Sequence, residues 1–307
     1  MSSVNAIKRK NRSTLRKGES RLAFLAVSPF YIIFLTFGLF PVLYSTYIAF
    51  FDWDPLGLHI FIGLDNFRVL LTDERFWIAL RNTLSIWVLS TVPQLAAALG
   101  IASILNKNRL KFSGFWRSAV LIPNITSTVA VAVVFSSIFG RDFGVVNYVL
   151  HFFGVDKIDW QSGVLSSHFE IAVMVIWRWT GYNALIYLAA MQSIPKELYE
   201  SAELDGASGW KQFRYVTLPG IRNTMIFTVT VSTIGGLQIF GEPAIIGGAN
   251  LSGGNDRQLS TLTLFLYEQA FQNFKFGYAA AIGILMLIVI LFFALLNSWI
   301  TGKISRD

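Results

Sequence analysis

The chain has 307 residues, is 54% hydrophobic and only 14% charged, and has a mean hydropathy of +0.54, whereas soluble domains carry about 25% charged residues. This is the balance of an integral membrane protein, and its net charge of +7 comes largely from one basic tail, so it does not argue for nucleic acid. With no cysteine, disulfides, thiolate metal sites and cysteine nucleophiles are excluded.

The tail, residues 1–21, holds Lys8, Arg9, Lys10, Arg12, Arg16, Lys17 and Arg21. A basic start before an apolar run mimics a signal peptide. The run continues past Pro29 and Pro41 without a small-x-small cleavage site. It therefore reads as an uncleaved first span behind a tail suited to anionic lipid.

Six apolar segments reach the roughly 20 residues that a crossing helix needs. They are 22–51, 76–105, 115–139, 169–191, 224–240 and 277–300. None alternates with period two, so the expected fold is all-α, with six transmembrane helices. The first helix fills 22–51, a five-helix core fills 76–300, and 301–307 is a short tail. The first segment is overlong, and residues 44–51 are expected outside the bilayer. Pro93 and Pro123 fall inside spans two and three, where a ring without an N–H kinks or breaks a helix.

Lys and Arg in the loops set the orientation. One side carries seventeen of them, including Lys107, Arg109, Lys111, Arg117, Lys196, Lys211 and Arg214, and the other side carries seven. Both termini and the segment 193–219 are thus expected in the cytoplasm. The outer loops are 52–75, 140–167 and 242–276. The last is rich in Gly and Asn and reads as a flexible connector.

Segment 193–219, SIPKELYESAELDGASGWKQFRYVTLP, is the one long polar stretch between two spans. Ser193 and Pro195 are helix-start signals. Glu197, Glu200 and Glu203 suit the early turns of a helix. Gly206 interrupts, and a second short helix with Trp210, Phe213 and Val216 runs to Pro219. The expected form is helix, sharp turn, helix.

The order Glu200-Ser201-Ala202-x-x-Asp205-Gly206-Ala207, closed by Leu218-Pro219, resembles the EAA loop of the membrane subunits of ATP-binding-cassette importers. Tyr199 and Phe213 resemble the sugar branch of that family, the maltose-type permeases. Two positions depart from the pattern: Ser201 stands for Ala, and Gly247-Gly248-Ala249 stands for Gly-Gly-Pro. The resemblance implies a permease that couples through Tyr199, Glu200, Ser201, Ala202, Asp205, Gly206 and Ala207 to a cytoplasmic ATPase dimer. It also implies a second permease subunit, either a homologue or another copy, and an external solute-binding protein. The cargo would be a di- or oligosaccharide, with ATP and Mg bound by the ATPase and no cofactor in this chain.

Span four holds Trp177-Arg178-Trp179-Thr180-Gly181-Tyr182-Asn183. A charge at mid-span costs roughly 2.5–3.5 kcal/mol, so Arg178 should face protein or a wet cavity. Arg178 and Asn183 can bond sugar hydroxyls, and Trp177, Trp179 or Tyr182 can present a flat face to sugar C–H groups. Trp177 and Trp179 cannot share a face. The other reading has Arg178 bracing a neighbour and the Trp residues facing lipid. The matching region of maltose-type permeases contributes to their solute site.

Span five is the most polar. Thr224, Thr228, Ser232 and Gly235 or Gly236 form one stripe, with Thr230, Thr233 and Gln238 on other faces. These residues suit either the solute path or helix–helix glue. Glu242, just beyond, is placed at the outer mouth, binding solute or solvated. His59, His151 and His168 fall in outer loops and read as solvated. There is no Gly-x-x-x-x-Gly-Lys-Ser/Thr phosphate loop, no His-Glu-x-x-His and no Gly-x-Ser-x-Gly. The chain therefore reads as a transport subunit rather than an enzyme, with energy supplied by a partner. Glycerol phosphate or a polyol remains an alternative cargo, because Arg178 suits a phosphate. An ion-coupled carrier is the further rival.

Overall fold

The computed structural model describes residues 22, 24–55, 57–106, 111–248 and 251–304. The basic tail 1–21, Lys107, Arg109, Ala249, Asn250 and Arg306 lie outside the described residues.

The first helix, α1 (Phe24–Ile48), buries none of its residues. Phe30, Ile32, Phe37 and Phe40 all point outward, as suits a helix solvated by acyl chains. The helix stops at Ile48 rather than running to Phe51. A small antiparallel hairpin follows, β1 (Phe51–Trp53) and β2 (His59–Phe61), with Phe51 opposite Phe61. This is a minor exception to the all-α expectation. Asn66, in α2 (Asp65–Thr72), pins the junction: its amide donates to the carbonyls of Ala49 and Phe51, both at 2.9 Å.

The long helix α3 (Glu74–Leu105) spans 32 residues, about 48 Å at the usual rise. Pro93 lies inside it without ending it. Asp73 caps its start and takes hydrogen bonds from Arg75 and, across the fold, from Tyr278 (2.8 Å). Burial pushes the Asp73 carboxyl up, but the bonds from Arg75 and Tyr278 outweigh it and hold it below the usual range.

The expected third span is broken. Helix α4 (Ser113–Ile125) meets α5 (Thr128–Ile138) at 89°. The break falls after Pro123, at Thr126 and Ser127. Within α4 the helix is interrupted after Ala119 and restarts as the short piece Ile122–Ile125, and Pro123 sits in the first turn of that piece, where its missing N–H is no loss. The segment that follows contains α6 (Val145–Phe152).

Helix α7 (Val164–Gln192) packs along α3 as the central pair. Its Gly181 lies so close to the Val120 carbonyl that a Cβ there would sit 1.6 Å from the oxygen. Only glycine lets the broken span lie across α7. Helix α8 (Lys196–Leu204) follows. Then α9 (Gly209–Gln212) continues through a wider turn, Phe213–Thr217, to Leu218–Gly220. Ser193 does not cap α8; its hydroxyl donates back to the Ala190 carbonyl at the end of α7 (2.8 Å).

Helix α10 (Arg222–Leu237), α11 (Gly241–Ile246), α12 (Leu262–Tyr267) and α13 (Phe276–Ile304) complete the chain. Among the described residues four stretches are long and apolar enough to cross a membrane, α1, α3, α10 and α11 taken together as Arg222–Ile246, and α13 over Phe276–Asn297, or five if the bent pair α4–α5 counts as one span. The remaining expected span, α7, has 29 residues, but buried Arg178, Thr180 and Asn183 interrupt its apolar run.

Two further expectations are overturned. The Gly- and Asn-rich loop is not a loose connector: Leu259, Ser260 and Thr261 are fully buried, and a Cβ on Gly253 would fall 2.2 Å from the Ser260 nitrogen. His168 is not solvated either. It is buried, with its ring nitrogens 2.9 Å from Ser85 Oγ and from the Gln258 carbonyl. His168 thus ties α7 to α3 and to the returning loop.

Candidate functional site: a cavity at two broken helices

Two interruptions fall beside α7. One, the 89° bend, separates α4 from α5; the other is a short gap at Gln238–Phe240 between α10 and α11, inside the single candidate span Arg222–Ile246. In a bilayer, an interrupted helix leaves N–H and C=O groups without partners. Such backbone is tolerated only inside protein or against a water-filled space. Here the two breaks border a cavity of about 420 Å³. Thr128 lines it from the first turn of α5, and Gln238, Phe240 and Gly241 line it from the second break. Arg178, Trp179, Tyr182 and Asn183 reach it from α7, Ser232 from α10, and Thr91 and Gln94 from α3.

The central pair is Arg178 and Glu242. Arg178 Nη1 donates to Glu242 Oε1, and both residues are buried, at 9% and 6% exposure. This overturns the reading of Glu242 as simply solvated. It lies in the first turn of α11, where a carboxylate favours the helix dipole, and it neutralises Arg178. Arg178 Nε is buried without a partner among the described residues. The Asn183 amide is lightly held: its bonds to the Trp179 carbonyl and Ser232 Oγ are both 3.4 Å, long for N–H···O. Trp179 and Tyr182 stand edge to face at 6.0 Å.

Of the expected path residues, Arg178, Trp179, Tyr182, Asn183 and Gln238 come together here. Trp177, Thr230 and Thr233 do not. Trp177 is 43% exposed, with its ring 5.7 Å from that of Phe135. The Thr230 hydroxyl donates to the Ile226 carbonyl within its own helix (2.9 Å). Thr233 accepts from the Asn297 amide (3.0 Å) and so joins α10 to α13. Sequence reasoning missed Thr91 and Gln94. Their signal was two polar side chains at i, i+3 in an apolar span, one on each side of Pro93.

The second candidate region is the α8–α9 hairpin. Helix α8 ends in a left-handed turn: Gly206 has φ +72°, its N–H donates to the Glu203 carbonyl (3.0 Å), and the Ala207 N–H donates to the Ala202 carbonyl (2.9 Å). This is the paired closure that glycine makes easy at a helix end. Gln212 Nε2 adds a bond to the Ala207 carbonyl (3.2 Å), and the Tyr199 and Thr217 hydroxyls meet at 3.0 Å across the base. Glu200, Ser201 and Asp205 are exposed, and among the described residues no ion pair engages them. At the tip, Leu204 is 90% exposed, and exposed Trp210 stacks on Phe213 at 5.5 Å.

The hairpin and the cavity share a packed column. Tyr199 and Val216 rest on the cluster that contains Ile194, Met191, Leu188 and Tyr187. Tyr187 takes a hydrogen bond from Thr228 of α10 (2.7 Å) and lies one turn from Asn183.

Residues 94–306 match the family described as binding-protein-dependent transport system inner membrane component. The chain belongs to that family. This inner membrane component is 34% identical to the arabinooligosaccharides transport system permease protein AraP of Bacillus subtilis (strain 168), over 92% of its own length and 90% of AraP. It is 30% identical to the trehalose/maltose transport system permease protein MalF of Thermococcus litoralis, over 96% of its own length and 98% of MalF. Among solved structures it resembles a chain of a bacterial alginate ABC transporter in complex with an alginate pentasaccharide-bound periplasmic protein. The TM-score is 0.78 at 25% identity, covering 94% of this component and 97% of that chain. It is a multi-pass membrane protein of the ABC permease fold.

Proposed function

We propose that the chain is a translocation subunit of an ATP-driven, binding-protein-dependent importer whose cargo is a sugar. The observation that carries this is the cavity at the two helix breaks. It pairs amide and hydroxyl groups, which both donate and accept, with the flat faces of Trp179 and Tyr182. That mixture suits a polyhydroxylated ring with apolar C–H patches. The sugars in the names of AraP and MalF support the same class.

In this reading a second permease subunit completes the path, and an external binding protein delivers the solute. A cytoplasmic ATPase dimer holds ATP and Mg. Both termini and the α8–α9 hairpin lie in the cytoplasm of a prokaryotic cell, and Tyr199, Glu200, Ser201, Ala202, Asp205, Gly206 and Ala207 form the face that meets the ATPase. Closure of the ATPase moves the hairpin as a body. The column through Met191 and Tyr187 carries that movement to the cavity, which opens alternately to each side.

The test is uptake by proteoliposomes containing the assembled transporter and its binding protein, across a panel of oligosaccharides. We expect accumulation of at least one sugar with enclosed ATP and none without it. Uptake driven by a proton or sodium gradient in the absence of ATP would overturn the proposal in favour of an ion-coupled carrier.

A further inference from the structure

Resting on the sugar-importer reading above, we infer that the cavity admits neutral saccharides and refuses acidic ones, and that Glu242 sets this limit by occupying the charge of Arg178.

Arg178 and Glu242 are the two charged residues in the cavity lining, and they are paired with each other. The remaining polar groups are the amides of Gln94, Asn183 and Gln238 and a set of hydroxyls. The lining therefore has no net charge. A neutral sugar that leaves water for this space can exchange its hydration for amide and hydroxyl bonds. A sugar bearing a carboxylate or phosphate must lose stronger hydration, which neutral amides and hydroxyls replace less well than an unpaired cation does. A free guanidinium would serve, since its planar fork binds both anions well. Here one arm of the fork is already engaged by Glu242, and that carboxylate repels a second anion beside it. Glu242 is also held in place, buried in the first turn of α11 rather than carried on a mobile loop. The phosphate-bearing cargo that Arg178 suggests in the sequence is thus disfavoured by a residue 64 positions away.

The test compares matched open-chain pairs that differ only in a carboxylate for a CH2OH group at C1: lactitol with lactobionate, and maltitol with maltobionate. Equilibrium binding is measured on the complete detergent-solubilised transporter without its binding protein, so that the binding protein takes no part in the discrimination. Wild type should bind the neutral member of a pair at least about tenfold more tightly than the acid. Glu242→Gln keeps an acceptor for Arg178 and removes the anion; it should narrow or reverse that ratio by at least about tenfold. Should Glu242→Gln not assemble, Gln94→Lys gives the cavity a net positive charge with the pair intact, and it should move the ratio the same way. Equal binding of both members by wild type, or an unmoved ratio in an assembled variant, overturns the inference and leaves the importer reading standing. Binding of neither member of either pair, together with no ATP-driven sugar uptake, overturns both.

Discussion

Replacing Gly206 by valine should leave the protein in the membrane at its normal amount and abolish solute uptake. A Cβ at Gly206 would meet nothing within 4 Å, and the position is exposed, so the packed core is not disturbed. The cost is in the backbone: φ is +72°, a region that costs an L-residue roughly 1–2 kcal/mol and a β-branched one more. The chain escapes that cost by opening the turn. The bonds from Gly206 and Ala207 to the carbonyls of Glu203 and Ala202 then loosen, and α9 leaves α8 at a different angle. Because the turn is exposed, folding survives. The exposed tip would no longer present Asp205, Leu204 and Trp210 together. Driving a gate from 1:99 to 99:1 takes about 5.5 kcal/mol of differential binding, so a coupling face that loses a few kcal/mol cannot drive it. Glu200→Ala should give a milder form of the same defect, since one hydrogen bond to a charged group is worth roughly 1.5–3 kcal/mol. Uptake and ATPase activity measured on the same proteoliposomes check this. The expected result is hydrolysis that no longer responds to the loaded binding protein. Normal uptake by Gly206→Val would contradict the coupling role.

The second large effect is at Arg178 and Glu242. Glu242→Ala should destabilise the protein by about 3–5 kcal/mol, because it leaves an uncompensated buried charge. A paired apolar replacement, Arg178→Met with Glu242→Leu, should recover most of that stability, since a buried ion pair is often no better than well-packed side chains. It should not recover solute binding. Thermal unfolding in detergent, read as a double-mutant cycle beside solute affinity, separates the two roles. If the double variant bound sugar as wild type does, the pair would be a brace and not part of the path.

Much of this architecture was legible from residues alone. Apolar runs of bilayer length marked the helices, and Gly206 marked the turn of the hairpin. What escaped were features that depend on two distant segments meeting. Glu242 reads as a residue at a span end, binding solute or solvated, because nothing local says that its carboxylate meets Arg178 of another helix. His168 reads as a loop residue for the same reason; its partners are Ser85 and the Gln258 carbonyl. The bend in the third span was half visible in Pro123, but the chain turns three residues later. Gly181, which makes room for that bend, is unremarkable in sequence. Thr233 shows the converse. Its polarity in a span suited either the path or helix–helix glue, and the bond from Asn297 gives it the second role.

The account depends on the hairpin touching an ATPase on the cytoplasmic side. The chain has no cysteine of its own, so a single Ala207→Cys variant can be crosslinked in the assembled transporter without background. A crosslink from position 207 to the ATPase subunit, altered in yield by nucleotide, is the predicted result. Labelling of that cysteine by an impermeant reagent from outside intact cells, with no crosslink to the ATPase, would contradict it.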